Sequence, residues 1–245
     1  MGLSERAAHA FFPASVMQGP FRNLLLFSFA KSLVFVIDLC NHAAEHFAKN
    51  RPDQVSVIEA ARSPNGRPHI HDGRLWAAYR GISVSSDILA SALMSLEERL
   101  LIEAKSQPEL IKHALEVILE QGTSSFTTSV AASLMTAHPS LVTEKMLGIF
   151  KCPWFFVDDF SRCQEEPLAL AIHGGHDGLD GERQKERIAS KNLPHIRYNL
   201  EDLALQLQLS RLDLRDAIFA ILDQHKTALP ANPEDAQSWR IALKR

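Results

Sequence analysis

The sequence predicts a mainly α-helical protein, built as stacked helical hairpins or an α-solenoid-like bundle, with a small β-hairpin inserted around residues 54–72. Three observations predict this fold. Apolar residues recur every three or four positions along successive segments, as on the buried face of an amphipathic helix. Short breaks separate these segments, so consecutive helices are expected to be antiparallel neighbours. One segment instead alternates β-branched and polar residues, which is typical of a half-buried strand.

The composition is that of a folded cytoplasmic protein. The 245 residues are 46% hydrophobic and 22% charged, which suits a packed core and differs from the composition of a disordered chain. The formal net charge of -3 provides no basic field for DNA or RNA, so no nucleic-acid partner is expected. Cys40, Cys152 and Cys163 are unevenly spaced, which favours buried free thiols in a reducing compartment.

The most apolar segment, residues 21–39, has nearly the length of a membrane span. Arg22, Lys31 and Asp38 interrupt it, and a charge near the centre of a bilayer costs a few kcal/mol. No membrane partner is therefore expected, and the opening residues also lack the apolar run of a signal peptide. The range 21–49 is interpreted as a buried pair of helices that forms the central core element.

A β-hairpin is predicted after this helical range. The segment QVSVIEAA, residues 54–61, alternates like a strand, and Pro64-Asn65-Gly66 supplies residues that tolerate the left-handed conformation of a tight turn. The following RPHIHDGRLWAAYRG, residues 67–81, is expected to return as the second strand. Two strands alone are marginally stable, so the hairpin needs a helix to pack on.

Helices are predicted from there to about residue 150. Ser85 or Ser86 is expected to cap the first of them, and Pro108 to open the second. The His138-Pro139 step ends the third, because the residue before a proline disfavours helical geometry. The expected helices cover residues 87–104, 108–122, 124–137 and, from Ser140 or Thr143, up to 150.

Three regions are expected along the chain. Residues 1–160 form a helical domain with the hairpin insertion, and residues 161–195, rich in glycine and charge, form a loop-rich connection. Residues 196–245 form C-terminal helices packed on the first domain, the first of them capped by Asn199. The sequence stops within a helical pattern that includes Trp239, which indicates a piece of a longer polypeptide.

Two histidine clusters are candidate metal ligands. His173, His176 and Asp177 lie in a glycine-rich segment, and His69 and His71 alternate on a predicted strand, so that the last two share a face. If the two segments meet, these residues predict a small metal-dependent hydrolase. The simpler interpretations are a solvated loop and an exposed hairpin edge, because neither cluster has the spacing of a known zinc or calcium motif.

Two further candidates are weaker. Asp158-Asp159 resembles a paired carboxylate, but adjacent side chains usually point apart, which favours a role at a helix N-terminus. Trp76, Tyr79 and Arg80 form a candidate binding surface, with core packing and a peripheral arginine as the alternative. The sequence contains neither a nucleophile elbow nor a phosphate-binding loop, so no catalytic residue is assigned.

Several strings together carry a resemblance to a known family. They are PASVMQGPFRNLL, VIDLCNHA, LWAAYRG, ILASALMSLEERLL and VAASLMTAHP, followed by ERIASKNLPHIRYNLEDLALQLQ and SWRIALKR. Their order resembles the C-terminal helical region of large bacterial STAND-type NTPases and related antiviral-defence proteins. The resemblance implies a sensor or scaffold that binds a trigger protein, other domains of a parent polypeptide or a second copy. It also implies that ATP binds elsewhere in the parent and that this chain holds no cofactor.

Overall fold

The computed structural model describes residues 14–82, 86–172 and 179–227, and it confirms a mainly α-helical fold with one small β-hairpin. The α-helices are α1 (Phe21–Phe27), α2 (Phe29–Asn50), α3 (Gly73–Ala77), α4 (Asp87–Ser106), α5 (Pro108–Gln121), α6 (Ser125–Ala137), α7 (Pro153–Ile172), α8 (Leu179–Lys191), α9 (Leu200–Ser210) and α10 (Leu212–Thr227). Short 3₁₀ segments lie at Ala60–Arg62, Ala78–Arg80, Pro139–Leu141, Glu144–Lys151 and Pro194–Arg197.

The hairpin is shorter than predicted. Strand β1 (Ser56–Ile58) pairs antiparallel with β2 (His69–His71), with Val57 opposite Ile70. The expected second strand through residue 81 is wrong, because the side chain of Asp72 accepts a hydrogen bond from the backbone N–H of Arg74 and begins α3 instead.

The connection between the strands is a long loop. Gly66 adopts the expected positive φ of 72°. The side chain of Asn65 closes a local turn, since its Oδ1 accepts a hydrogen bond from the backbone N–H of Arg67 at 3.1 Å. Its Nδ2 donates to the backbone oxygens of Glu120 and Gly122, at 3.0 and 2.9 Å. The loop is thereby tied to the end of α5, which provides the helical support that the hairpin needs.

The predicted helices between residues 87 and 137 are confirmed almost to the residue. Pro108 opens α5 and Gly122 follows its end, as local signals predict. The fourth predicted helix is a pair of 3₁₀ segments instead of an α-helix. At Asn199 the expected cap is present as a capping box with Asp202.

The central element of the core is α6. Its residues from Ser125 to Met135 are all buried, whereas α2 is buried on one face only, with Phe35 49% exposed. The prediction that residues 21–49 form the central element is therefore wrong. The physical reason is that α6 carries no charged side chain. The hydroxyls of Thr128 and Ser129 can also be buried, because they donate to the backbone oxygens of Ser124 and Phe126 in the preceding turn.

Residues 161–195 are more helical than expected. Here α7 continues to Ile172 and α8 begins at Leu179, so a loop-rich connection is not what the described residues form. Apolar residues of α9 and α10 belong to the same buried cluster as those of α1 to α7. The expected helix around Trp239 lies outside the described residues. Within the described ranges, every helix is too short or too polar to cross a membrane.

Candidate functional site

His69 and His71 face the interior from strand β2. Both rings pack against Phe155, with centroids 5.5 and 6.0 Å away, which confirms that they share a face. Burial lowers the pKa of His69 to about 3 and that of His71 to about 4, so both imidazoles are neutral at physiological pH. The exposed hairpin edge suggested by the simpler interpretation is therefore wrong.

Hydroxyl groups at the start of α6 contact one nitrogen of each ring, and Nδ1 of His69 makes no hydrogen bond with a described residue. Nε2 of His69 lies 3.3 Å from Oγ1 of Thr128, and Nδ1 of His71 lies 3.2 Å from Oγ of Ser125. Each hydrogen bond joins β2 to α6. The two histidines therefore connect the hairpin to the central helix by hydrogen bonds.

The second histidine cluster cannot be placed beside the first. His173, His176 and Asp177 lie outside the described residues. In the part of the chain that the structure describes, no three histidine, cysteine, aspartate or glutamate side chains come together in a way that could hold a metal ion. The shared metal site thus stays a prediction.

Trp76, Tyr79 and Arg80 do not form a surface. Their exposed fractions are 0%, 1% and 4%, so the predicted binding surface at these residues is wrong. The alternative of core packing is confirmed for the aromatic pair: the Trp76 ring stacks on Phe155 with centroids 5.0 Å apart. The expectation that the arginine is peripheral is also wrong, since Arg80 is as buried as its neighbours.

Arg80 is the centre of a buried charge cluster. Its guanidinium donates to Glu166 at 2.8 Å and to Glu97 at 3.0 Å, and also to Oγ of Ser190. The Glu97 carboxylate additionally accepts a hydrogen bond from Ser133. The cluster therefore joins the 3₁₀ segment after α3 to four separate helices, α4, α6, α7 and α8.

The electrostatics of the cluster favour the charged state. Burial raises the pKa of Glu97, but Arg80, His195 and Ser133 outweigh burial and hold that pKa below its usual value. For Arg80 burial is outweighed in the same way, by Glu97 and Glu166, so that its pKa is raised. Arg80 and the two carboxylates therefore form a buried ion group that links the elements carrying them.

Sequence reasoning missed this cluster, although one signal for it was present. Glu97 lies four residues after Leu93 and three before Leu100, which places a carboxylate within the apolar stripe of α4. A charged residue at such a position is rarely buried without a partner. No comparable local signal points to Arg80 or Glu166 as that partner.

Asp158 and Asp159 on α7 have different environments, as expected for adjacent residues. Asp159 accepts from Arg162 at 2.8 Å and from Nε1 of Trp76 at 3.0 Å. Asp158 faces His71 instead, with 3.4 Å between Oδ2 and Nδ1, and its Oδ2 makes no hydrogen bond with a described residue. The pair belongs to two sites, and it does not lie in the first turn of its helix.

Among the residues that the structure describes, Asp158 and His71 most resemble an acid–base pair. Burial raises the pKa of Asp158 to about 8, and the neighbouring Asp72 and Asp159 contribute to this shift. A cavity of about 490 Å³ lies beside it, bounded by Asp72, Arg74 and Glu165. At neutral pH the arrangement holds a protonated carboxyl group next to a neutral imidazole. Chemically, this is a proton donor next to a proton acceptor.

Two of the three cysteines are buried free thiols as the sequence predicts, and Cys163 is not buried. Cys40 and Cys152 are buried free thiols, and burial raises the pKa of each to about 12. The thiol of Cys163 is partly exposed, and burial still raises its pKa to about 11. A nucleophilic cysteine needs a lowered pKa, and the pKa of each of these thiols is shifted in the opposite direction.

The sequence was also compared with known proteins, and neither the models of known protein families nor the curated proteins gave a match.

Proposed function

We propose that the chain is a non-catalytic helical module that binds protein, acting as the sensor or scaffold region of a bacterial STAND-type defence protein. The observation that carries this proposal is an apolar surface on α1 and the start of α2. We call it the α1–α2 face, and it consists of Leu24, Leu26, Phe27, Val34 and Phe35.

The α1–α2 face is unusually exposed for its composition. Phe27 is 83% exposed and Leu26 52%, while Phe21 and Leu25 on the opposite side of α1 are buried. Apart from Arg22 and Asn23, α1 consists of apolar residues, and a helix that is apolar on most of its surface normally lies in the interior of a protein. Exposed apolar side chains grouped on two successive helices are typical of interaction sites, so a further protein layer over α1 is the occupant that best fits them.

A protein partner fits the chemistry of the face better than a polar ligand does. Exposed aromatic side chains supply a large contact area with little loss of conformational freedom, and they are enriched at the centres of protein interfaces. The buried charges described above are paired with one another inside the protein. The partner proposed is the trigger protein or another region of the parent polypeptide.

Site-specific photo-crosslinking in the native host tests the proposal. A photoreactive benzoyl-phenylalanine at Phe27 is expected to form one discrete adduct with another protein, since this side chain would be covered by the partner. The same group at Glu109, an exposed residue whose side chain is 81% accessible on α5, is expected to form none. Mass spectrometry of the adduct identifies the partner.

Matched serine variants distinguish specific binding at the α1–α2 face from nonspecific binding by any exposed apolar side chain. Phe35→Ser is expected to abolish the adduct at position 27, whereas Phe219→Ser on α10 should leave it unchanged, because the two phenylalanines are equally exposed, at 49% and 48%. Adducts of equal yield at positions 27 and 109 would contradict the proposal, as would a monodisperse monomer with no adduct. An adduct of two identical chains would replace the proposed partner by a second copy.

The alternative proposal is a small metal-dependent hydrolase that uses His69, His71, His173, His176 and Asp177. It needs the two imidazoles on β2 to exchange their hydroxyl partners on α6 for a metal ion. Elemental analysis of protein purified without an affinity tag is expected to find less than one transition-metal ion per chain. A stoichiometric metal content that His71→Ala removes would favour the hydrolase instead.

A further inference from the structure

A second feature, separate from the α1–α2 face, is a cavity of about 550 Å³ bounded by α4, α8 and the turn after α8. Its wall is largely apolar and includes Met94, Leu101, Ile102 and Leu193. The volume falls within the range of about 300–1,000 Å³ that is typical of small-molecule sites. The cavity is therefore suited to a ligand with an apolar body.

The carboxylates in the wall of this cavity already have partners. Glu97 is bound by Arg80 and Ser133, as described above. Glu98 accepts a hydrogen bond from Arg22 at 2.9 Å, and Glu186 accepts one from Ser15 at 2.8 Å. A cationic ligand would have to compete with these contacts.

The basic side chains in the wall, unlike the carboxylates, have unused hydrogen-bonding capacity. Lys105, His138 and His195 line the cavity, and in the described part of the chain Lys105 and His138 make no side-chain hydrogen bond or ion pair. His195 is only 8% exposed, and its buried Nε2 lacks a hydrogen-bond partner, with the nearest carboxylate oxygen, Oε1 of Glu97, 3.7 Å away. A buried polar atom without a partner is costly, so a ligand acceptor at this place would be stabilised.

The three nitrogen-bearing side chains also lie close enough to affect one another. Burial lowers the pKa of His138, and His195 and Lys105 lower it further by charge repulsion. An anion placed among them would lie beside the ammonium group of Lys105 and would raise the pKa of His138 again. The ligand group that matches this set is therefore an anion.

We propose that this cavity binds an anionic amphiphile, with a carboxylate held by Lys105, His138 and His195 and an unbranched hydrocarbon chain lying against Met94, Leu101 and Ile102. The carboxylate supplies the acceptor that the buried Nε2 of His195 lacks. The hydrocarbon chain of the ligand covers the apolar part of the cavity wall, which otherwise contacts solvent. A fatty acid of medium length is the chemical class that combines these two properties.

Isothermal titration calorimetry with the full chain and decanoate, below its critical micelle concentration, tests the proposal. Saturable binding of about one decanoate per chain is expected. Decylamine and decan-1-ol have the same chain without the negative charge, and they should bind about tenfold to a hundredfold more weakly, since a charge-assisted hydrogen bond is lost. Acetate, which has the charge without the chain, should show no saturable binding.

Two kinds of variant place the ligand in this cavity. Lys105→Met and His138→Gln are each expected to weaken decanoate binding about tenfold, whereas Lys49→Met, an exposed lysine at the end of α2, should leave it unchanged. Ala189→Phe narrows the cavity from its exposed rim and should also weaken binding without disturbing the core.

The proposal is overturned by any of three results: no saturable binding of decanoate, equal binding of decylamine or decan-1-ol, or unchanged affinity in both the Lys105→Met and the Ala189→Phe variants. A circular dichroism spectrum of each variant that matches the parent protein shows that it is folded. None of these results depends on the α1–α2 face, so this test and the crosslinking test can fail independently.

Discussion

Replacing Arg80 by methionine is expected to lower the free energy of unfolding by at least 3–5 kcal/mol, the range seen when one partner of a buried ion pair is removed. Methionine has a similar length but no charge, so the carboxylates of Glu97 and Glu166 would remain buried without the guanidinium that binds both. This loss is comparable to the whole stability of many domains, about 5–15 kcal/mol. Urea denaturation at neutral pH measures it.

The matched control is Arg22→Met. Arg22 pairs with Glu98 at a similar distance, 2.9 Å, but its side chain is 53% exposed, so removal of its charge should cost less than about 1 kcal/mol. Adding Glu97→Gln to the Arg80→Met variant should recover part of the lost stability, because one of the two unpaired charges is then removed. If Arg80→Met costs no more than Arg22→Met, the charge cluster does not hold the helices together.

Replacing Asp158 by asparagine is expected to change how stability depends on pH. The pKa of Asp158 is raised to about 8 in the folded state from 3.8, so between these values the folded protein holds a proton that the unfolded chain releases. The stability that this proton contributes to the folded state is fully present below pH 3.8 and is lost as the pH rises to about 8. Asparagine is neutral at every pH and lacks this dependence.

The buried histidines produce the opposite trend at lower pH. The pKa of His71 falls from 6.5 to about 4 on folding, so its contribution is present above pH 6.5 and is lost as the pH falls toward 4. Asp158 is therefore best isolated between pH 6.5 and 8. Over that interval the wild-type free energy of unfolding should fall by about 2 kcal/mol more than that of the asparagine variant, at about 1.4 kcal/mol per pH unit.

Thermal denaturation at several pH values between 6.5 and 8 is the measurement. Asp159→Asn serves as the control, because it removes the buried partner of Arg162 and should destabilise the protein across the whole interval. Parallel pH profiles for the wild type and Asp158→Asn would show that the Asp158 carboxyl is ionised at neutral pH. The proton donor next to His71 would then be absent.

The proposed protein-binding face and the proposed amphiphile cavity both involve a neighbour of helix α4 or α4 itself. Arg80 contacts Glu97 on α4, which contributes to the wall of the cavity, and α4 also packs against α1. Helix α4 is therefore the element that both proposals share. Each has its own variant set, so that the two activities can be separated.

Local signals predicted the ends of the helices well wherever the sequence contains a capping residue or a proline at the start of a helix. Pro108 starts α5, and Asn199 caps α9 with Asp202 as its partner, because these effects involve residues within one helical turn. The same kind of reasoning failed at residues 73–80. There Asp72 caps a short helix, and the aromatic residues that looked like strand or surface pack inward.

The candidate site was predictable only in part. The alternation of His69 and His71 correctly placed them on one face of a strand, since the strand period is two. That this face is buried against Phe155, and not exposed at an edge, depends on residues more than eighty positions away in the chain. A prediction from local pattern contains no information about such a contact.

By itself, the sequence determined the helical class, most helix ends and the position of the hairpin, because these depend on periodicity, capping and turn residues within a few positions. Only the tertiary structure decided that α6 is central, that Arg80 meets Glu97 and Glu166, and that Asp158 faces His71. These pairings join residues separated by up to 87 positions, and they form because a buried charge or polar group must find its partner wherever packing brings one within reach.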